Sequence, residues 1–260
     1  MNPIPITAIV VSCDEGHLLK RCLNSLTFCD EIIVVDMDCT DQTVSIAAQF
    51  KARVFKHQRV PFVEAAQKWM STLASHDWII NIDPDEVFDP KLASALVTIV
   101  NELPEDVAVI EFPIQFYLGN HALRGTYWGG KKWKPGSFFH RQRVTLGAVV
   151  HRRAEPNLGL RIHRIPWQDD QVLHHYWMLN YAQLIEKHLR YIQAEGLKHQ
   201  AAGQTFSWLT LSYETAHAFA WSLIKKSAWK DGLTGIGLSI FYAWYVASGW
   251  LALRSLNKKA

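Results

Sequence analysis

Short apolar runs alternate with amphipathic segments in the first part of the chain. Thr7–Val11, Glu31–Val35 and Trp78–Ile82 are dominated by apolar residues, which is typical of strands buried on both faces of a sheet. Between them, Glu15–Leu26 and Thr43–Phe50 repeat apolar residues at helical intervals. The pattern predicts an α/β fold with a mostly parallel sheet and helices on both faces.

The same reading continues along the chain. It predicts a short strand around Arg53–Phe55, a helix over about Phe62–Ala74 and another over Tyr181–Glu195. From Val107 to about Val150 the apolar runs are interrupted by glycine and aromatic residues. We expect this region to form a second, mixed part of the sheet and the far wall of a cleft.

The composition changes beyond about residue 203, where tryptophans and long uncharged runs dominate. Gly232–Leu253 carries no charged residue and is flanked by lysine and arginine on both sides. Its length suffices to cross a bilayer, which takes roughly 20 apolar residues. Spanning, lying on or re-entering the membrane, and burial in a soluble core all stay open. We predict two domains, an α/β domain over residues 1–200 and a helical, membrane-associated region over residues 201–260.

Charge and cysteine content narrow the class of protein. The formal net charge is +3 and the sequence pI is about 8.6; without a basic stripe, these values do not indicate a nucleic-acid partner. The four cysteines include no C-x-x-C pair, so neither a zinc site nor a disulfide scaffold is indicated. The N-terminus lacks a basic region followed by a long apolar run, so we predict a start in the reducing cytosol.

Acidic residues follow three of the predicted strands. Asp83, Asp85 and Glu86 come directly after Trp78–Ile82, and acidic residues also follow the two earlier strands. Carboxyl ends of parallel strands share one edge of a sheet, where ligands bind. Like charges this close need a cation, and hard oxygen ligands suit Mg²⁺ or Mn²⁺. A helix cap would explain one of these acids but not three.

Three blocks carry a resemblance to a known family: ITAIVVSCDEGHLLKRCLNSL, DEIIVVDMDCTDQTVSIAAQF and QKWMSTLASHDWIINIDPDEVF. In this order they resemble the family-2 glycosyltransferases with the GT-A fold, particularly the bacterial group that builds lipopolysaccharide cores and related glycans. That family typically reads Asn-Glu, Asp-Ser-Gly-Ser-Thr-Asp and Asp-Ala-Asp-Glu after the corresponding strands. The resemblance implies metal-dependent, inverting transfer of a sugar from a nucleotide-diphosphate donor, with a UDP-sugar expected.

The resemblance also assigns residues by position. Asp83 and Asp85 match the Asp-x-Asp pair, which implies that both take part in metal binding. Asp85 is the expected direct ligand and catalytic residue, while Asp83 is expected to bind ribose or a metal-bound water. Asp36 is expected at the base or ribose. The other residues implied near the nucleotide are Asp14, Glu15, Asp38, Asp41, Gln67 and Lys68.

The catalytic base is not assigned by the resemblance. Inversion needs a carboxylate beside the acceptor hydroxyl, and a family stretch that often reads Val-His-Glu stands here as VHRRAE over residues 150–155. Glu155, Asp169 and Asp170 are therefore all candidates.

Basic residues and histidines give further candidates with two interpretations each. The arginines could bind a diphosphate or a phosphorylated acceptor, or form a solvated basic face. The block His174–Tyr176 is similar to a late His-Tyr block in which a histidine faces the diphosphate, although a buried, hydrogen-bonded histidine also fits. The arginines concerned are Arg141, Arg143, Arg152 and Arg153.

The tail and the resemblance together imply a glycolipid or lipid-linked saccharide as acceptor. The expected location is the cytoplasmic face of the inner membrane, peripheral or anchored by one segment, and a homo-oligomer stays open. Two alternatives remain. IIVVDMDCT also fits haloacid-dehalogenase-like phosphatases, with Asp36 as nucleophile and Asp38 as general acid, but it leaves Asp83 to Glu86 without a role. Asp14 and Trp69 depart from the family pattern and favour a non-catalytic sugar-nucleotide-binding scaffold.

Overall fold

The computed structural model describes residues 4–60, 63–147 and 154–257. The chain forms two compact units, Met1–Ile114 with Lys132–His175 and Gln115–Lys131 with Tyr176–Ala260. The domain boundary predicted at residue 200 falls inside the second unit.

The first part of the chain alternates strands and helices as predicted. Thr7–Val11, Glu31–Val35 and Trp78–Ile82 all fall in strands, and the predicted helices form between them. The elements are β1 Ile4–Ser12, α1 Gly16–Asn24, β2 Cys29–Asp36, α2 Thr43–Gln49, β3 Arg53–Lys56, α3 Glu64–Leu73 and β4 Trp78–Ile82.

The later elements of this part of the chain are mostly short strands, of which β9 and β10 form a separate two-stranded sheet. They are β5 Glu86–Phe88, α4 Pro90–Glu102, β6 Val107–Leu118, β7 His121–Ala122, β8 Lys132–His140, β9 Val144–Thr145, β10 Glu155–Pro156, β11 Arg161–Arg164 and β12 Leu173–Met178. The main strand order is β3-β2-β1-β4-β8-β6-β12-β5. β1 to β4 pair in parallel, whereas β8 runs antiparallel to both β4 and β6. The predicted α/β fold with a mixed second part is confirmed.

The central strands do not alternate apolar and polar residues, because both of their faces are buried. Val10, Ile33 and Ile80 are fully buried, as expected for strands covered on both faces. Asp89 caps α4, because its side chain accepts a hydrogen bond from the Lys91 N–H at 2.8 Å. The helix cap is therefore Asp89, and the capping interpretation of the acidic loop 83–86 is wrong.

The second unit is largely helical. Its elements are α5 Tyr181–Leu189, α6 Ile192–Ala201, α7 Trp208–Ala220, a π-helical turn Trp221–Lys225, a 3₁₀ turn Ala228–Asp231 and α8 Gly232–Asn257. The single helix predicted over Tyr181–Glu195 is thus two helices, broken at Arg190–Tyr191. α6 lies close against α8, where a Cβ on Gly196 would come within 2.7 Å of the Ala252 Cβ.

A buried carboxylate marks the start of α8. Asp231 accepts hydrogen bonds from the Arg124 N–H at 2.8 Å and the Gly125 N–H at 2.7 Å. The segment Ala228–Asn257 is, among the described residues, the helix long and apolar enough to cross a membrane. However, 44% of its most apolar window is buried inside the protein, so part of this helix is a packing surface.

Candidate functional site

The carboxyl ends of β1, β2 and β4 lie at one edge of the sheet. β1 is parallel to both neighbours, and its register pairs Ser12 with Asp36 and Val10 with Ile82. The three acidic loops therefore start side by side, which is where the strand pattern predicts a site.

Backbone and hydroxyl groups hold the carboxylates of the first two loops. The Thr40 N–H donates to Asp14 Oδ1 at 2.6 Å, and the Gly16 N–H donates to Asp41 Oδ2 at 2.7 Å. The Thr43 hydroxyl donates to Asp41 Oδ1 at 2.6 Å. The pKa of Asp41 is lowered because these hydrogen bonds outweigh partial burial. Asp14 and Asp41 thus fasten one loop to the other.

Arg59 adds a cation to this part of the edge, and sequence reasoning missed it. Its guanidinium forms an ion pair with Asp14 and donates to the carbonyls of Met37 at 3.2 Å and Asp38 at 3.4 Å. Thr40 and then Arg59 lower the pKa of Asp14. The side chains of Asp38 and Lys68, both implied near the nucleotide, are exposed.

Asp36 and Glu15 help to build the backbone at this edge. Asp36 is buried, and its Oδ1 accepts the Cys39 N–H at 2.7 Å, which forms a tight turn after β2. The Glu15 carbonyl accepts the Leu18 N–H at 2.9 Å at the start of α1. Contacts of Asp36 and Glu15 with a nucleotide stay predictions.

One group of possible metal ligands lies in these two loops. Oxygen or sulfur atoms of Asp14, Cys39 and Asp41 lie within 4.8 Å of one another. The Cys39 thiol donates to the Ser12 carbonyl at 3.1 Å, and burial raises its pKa. A protonated thiol and carboxylates already fixed by hydrogen bonds fit Mg²⁺ or Mn²⁺ poorly.

The third loop separates its three carboxylates. Glu86 is 1% exposed and forms an ion pair with Lys134, whose Nζ also lies 3.7 Å from Asp83 Oδ2. His175 Nε2 lies 3.2 Å from Asp85 Oδ2, and its Nδ1 lies 3.8 Å from Glu86 Oε1. Lys134 therefore offsets part of the negative charge that the sequence places here, and His175 adds to this when it is protonated.

Burial and the nearby carboxylates shift the pKa values of the basic residues at this loop in opposite directions. Burial raises the pKa of Glu86. Burial also opposes the charged forms of Lys134 and His175, but the surrounding carboxylates outweigh it and raise both pKa values. His174, the other histidine of the predicted block, lies 3.6 Å from Asp89. His175 is thus the histidine that faces the acidic loop.

A cavity of about 280 Å³ borders Asp83 and Lys134. Three polar side-chain atoms on its wall, Gln67 Oε1, Asn81 Oδ1 and Ser137 Oγ, are buried and have no hydrogen-bond partner among the residues that the structure describes. Buried polar atoms without a partner are uncommon and costly, so they indicate a polar ligand. The remaining wall residues are Val11, Val63, Ile82, Pro135 and Gly136.

The predicted metal pair fits this arrangement. The Asp83 side chain is 55% exposed and lies at the cavity, while Asp85 is held by His175. Mg²⁺ and Mn²⁺ at such sites typically use one or two carboxylates together with phosphate oxygens. A divalent cation would be held by Asp83 and Asp85, an assignment that stays a prediction.

The three candidate bases lie on two segments. Glu155 is exposed in β10, which pairs with β9. Asp169 and Asp170 are consecutive: Asp169 Oδ1 accepts the Trp167 indole N–H at 2.7 Å, and Asp170 forms an ion pair with Lys91. The choice among the three acids stays open.

Of the four predicted arginines, the structure describes Arg141 and Arg143. Arg141 donates to Asp77 Oδ1 at 2.8 Å, just before β4. Asp77 and Asp83 lie at opposite ends of β4, six residue steps apart, which is about 20 Å at the usual rise. Arg143 donates to a backbone carbonyl at 2.8 Å. Arg141 therefore has a structural role away from the acidic edge. Arg152 and Arg153 lie outside the described residues.

Comparison with known proteins agrees with this arrangement. The family model "Glycosyl transferase family 2" matches residues 7–162. The lipopolysaccharide core biosynthesis glycosyltransferase LpsC of Rhizobium meliloti is 22% identical over 89% of this chain and 85% of its own. An uncharacterized glycosyltransferase of Rickettsia felis is 36% identical over 34% of this chain, a match that spans 31% of that relative.

Solved structures give a more distant likeness. Glucosyl-3-phosphoglycerate synthase from Mycobacterium tuberculosis matches 42% of this chain and 43% of its own, with 21% identity and a TM-score of 0.37. Mannosyl-3-phosphoglycerate synthase from Rubrobacter xylanophilus matches 43% of this chain and 40% of its own, with 21% identity and a TM-score of 0.34. These values are too low to bear on function.

The family match includes all three acidic loops and most of the sheet, and it decides against the phosphatase interpretation. The chain belongs to glycosyl transferase family 2.

Proposed function

We propose that this chain is a metal-dependent, inverting glycosyltransferase that moves a sugar from a nucleotide-diphosphate donor, a UDP-sugar, to a glycolipid or lipid-linked saccharide. The observation that carries the proposal is the cavity at Asp83, where Gln67, Asn81 and Ser137 have buried polar atoms that no described residue satisfies. A bound nucleotide would supply their partners.

Each charged residue around the cavity has a separate task in this proposal. Asp83 and Asp85 would hold a divalent cation, whose charge would offset the negative charge of the leaving diphosphate. His175 keeps Asp85 oriented, since its Nε2 lies 3.2 Å from that carboxylate. Lys134 offsets the charge of buried Glu86, and its ammonium also lies 3.7 Å from Asp83 Oδ2, at the edge of the cavity.

The acceptor hydroxyl needs a carboxylate to take its proton. Glu155, Asp169 and Asp170 remain the candidates. Asp170 is the weakest as a base, because its ion pair with Lys91 lowers its pKa. Glu155→Gln and Asp169→Asn should separate the other two, since loss of the base lowers turnover while leaving donor affinity unchanged.

An apolar stripe on α8 supports a membrane surface as the place of action. Leu233, Ile236, Ile240, Trp244 and Leu251 are all exposed, and their spacing puts them on one side of the helix. The opposite side of α8 packs inside the unit. A helix with this division is expected to lie on a membrane rather than to cross it.

Basic and aromatic residues beside the start of α8 extend this surface. Ile224 and Trp229 are 69% and 61% exposed, and Lys225, Lys226 and Lys230 are exposed next to them. Lysines of this kind are attracted to anionic lipid headgroups, and tryptophan prefers the interface. We propose a peripheral protein of the cytoplasmic face, consistent with the lipopolysaccharide role named for LpsC.

Donor binding can be tested by calorimetric titration of UDP, GDP and dTDP with and without Mn²⁺. The wild type should bind one nucleotide in a metal-dependent manner, and Asp85→Ala should lose that dependence while keeping its melting temperature. Asp106→Ala, which removes a surface carboxylate paired with Arg161, is the matched control. Absence of binding to all three nucleotides would contradict the proposal.

Membrane binding needs a separate test. Flotation with vesicles that contain anionic phospholipid should recover the wild type, and Trp229→Ser with Leu233→Ser should lower the bound fraction. A variant carrying Val44→Ser, at an exposed apolar position in the first unit, should float like the wild type. Equal flotation of all three proteins would exclude this surface.

A further inference from the structure

The helical unit contains a second cavity, larger than the one at Asp83. Its volume is about 440 Å³, within the usual range of roughly 300–1,000 Å³ for small-molecule sites. α6, α7 and α8 contribute to its wall, together with the segment that contains Trp128. No role in donor binding requires this cavity.

Aromatic rings form a large part of the wall and are fixed by packing. The Trp128 ring lies 5.7 Å from Tyr242 and nearly perpendicular to it, and Trp128 also stacks on Trp177 at 5.0 Å. On the α8 side, Trp250 stacks on His199 at 4.2 Å. Rings held in this way offer preformed apolar faces at little cost in conformational entropy.

The polar groups of the wall include both acceptors and donors of hydrogen bonds. Glu195 and Glu214 contribute carboxylates, and Glu195 accepts hydrogen bonds from the Tyr245 hydroxyl at 3.3 Å and from Lys198 at 3.4 Å. Burial, together with the nearby Glu195 and Glu214, raises the pKa of Tyr242 to about 12. The tyrosine hydroxyl is therefore protonated and can donate.

This chemistry narrows the class of ligand. Two carboxylates oppose a phosphate or another anion, and the charged wall opposes an acyl chain. A quaternary ammonium would suit the aromatic rings and the acids, but the Lys198 ammonium already pairs with Glu195 and opposes a second cation there. A sugar uses the whole set, because its C–H faces pack on aromatic rings while its hydroxyls both donate and accept.

We propose that the cavity between α6, α7 and α8 binds a saccharide, with one sugar ring against Trp128 and its hydroxyls on Glu195 and Glu214. The volume admits a mono- or disaccharide. Binding here would occur whether or not the first unit holds a nucleotide.

Saturation-transfer NMR on the full chain can test the site with glucose, galactose, N-acetylglucosamine, lactose and cellobiose as probes. At least one sugar should show a saturable signal. Glu214→Gln and Val246→Phe, which alter a polar group and fill the cavity, should each weaken that binding at least tenfold. Glu186→Gln makes the same charge change at an exposed position in α5 and should leave it unchanged.

UDP binding and thermal melting of each variant separate loss of the site from loss of the fold. A sugar signal that persists in folded Val246→Phe would overturn the proposal, because the sugar would then bind elsewhere. Saturable binding of choline with none of the sugars would overturn it in favour of an amine site. Loss of sugar binding in a variant that keeps its melting temperature would support the proposal whether or not the first unit binds UDP.

Discussion

The two groups of carboxylates at the sheet edge differ in what the protein already provides for them. Asp14 and Asp41, in the first two loops, accept hydrogen bonds from backbone and hydroxyl groups, and Asp14 is also paired with Arg59. The loop with Asp83 borders a cavity whose buried polar atoms lack partners among the described residues. Both sets contain several acids, but only the loop with Asp83 lies beside polar atoms that a ligand would satisfy.

This difference separates structural carboxylates from those available for binding. A carboxylate whose lone pairs are taken by fixed donors stabilises a loop and gains little from a cation. A half-exposed carboxylate beside unsatisfied polar atoms can gain several new interactions at once. Sequence alone places Asp14, Asp41 and Asp83 at one site, whereas their surroundings show which carboxylates are already satisfied by hydrogen bonds.

The largest expected effect on stability comes from Lys134→Met. The change leaves Glu86 buried without its cation, which typically costs about 3–5 kcal/mol. Urea unfolding should measure this loss. Lys91→Met is the matched control, because it removes an exposed ion pair with Asp170, and exposed pairs contribute little to stability. Equal losses in the two variants would mean that Lys134 is not needed to neutralise Glu86.

Glu31→Gln tests a carboxylate that the protein satisfies completely. Glu31 accepts hydrogen bonds from the Ser75 N–H at 2.7 Å and the Thr7 hydroxyl at 2.5 Å and pairs with Arg53. Against the opposing effect of burial, these bonds lower the pKa of Glu31 to about 2. The stabilisation, about 2 to 3 kcal/mol, should be complete above pH ~4.5 and fade as the pH falls toward ~2.

The measurement is the free energy of unfolding of wild type and Glu31→Gln between these pH values. The difference should shrink on acidification, because the depressed pKa stabilises only the ionised form. Glu105→Gln, at an exposed position, should show no such difference. A constant gap at every pH would show that Glu31 acts through packing alone.

The smallest effect is expected from Ser137→Ala. The hydroxyl has no partner in the described protein, so its removal should leave stability unchanged, while affinity for UDP with Mn²⁺ should fall by about 1 kcal/mol, roughly fivefold. Ser71→Ala removes a hydroxyl that donates to the Lys68 carbonyl at 2.8 Å and should not change affinity. Equal nucleotide affinity in both variants would place UDP outside this cavity.

Local pattern was enough to predict the acidic edge. The apolar runs of β1, β2 and β4 and the polar residues after them are read from neighbouring positions in the sequence, and parallel pairing brings their ends together. Lys134 and Ser137 could not be found in this way. They reach Asp83 because β8 pairs antiparallel with β4, a contact between residues far apart in the chain. The available signal was the basic stretch KKWKPG, which has no fixed partner by sequence.

The apolar C-terminal segment shows a different limit of prediction from sequence. Gly232–Leu253 is apolar on all sides, so periodicity could not distinguish a packed face from an exposed one. In the structure, Leu238 and Leu253 are buried while Leu233 and Ile240 are exposed. The aromatic cavity between the helices was likewise hidden, since its residues come from distant segments such as Trp128 and Glu195.

The most direct test of the central claim is the position of Mn²⁺ in crystals grown with UDP and Mn²⁺, located by its anomalous scattering. The account predicts a peak between Asp83 and Asp85, with UDP reaching the cavity lined by Gln67 and Ser137. A peak at Asp14 and Asp41 instead, with that cavity empty, would contradict it.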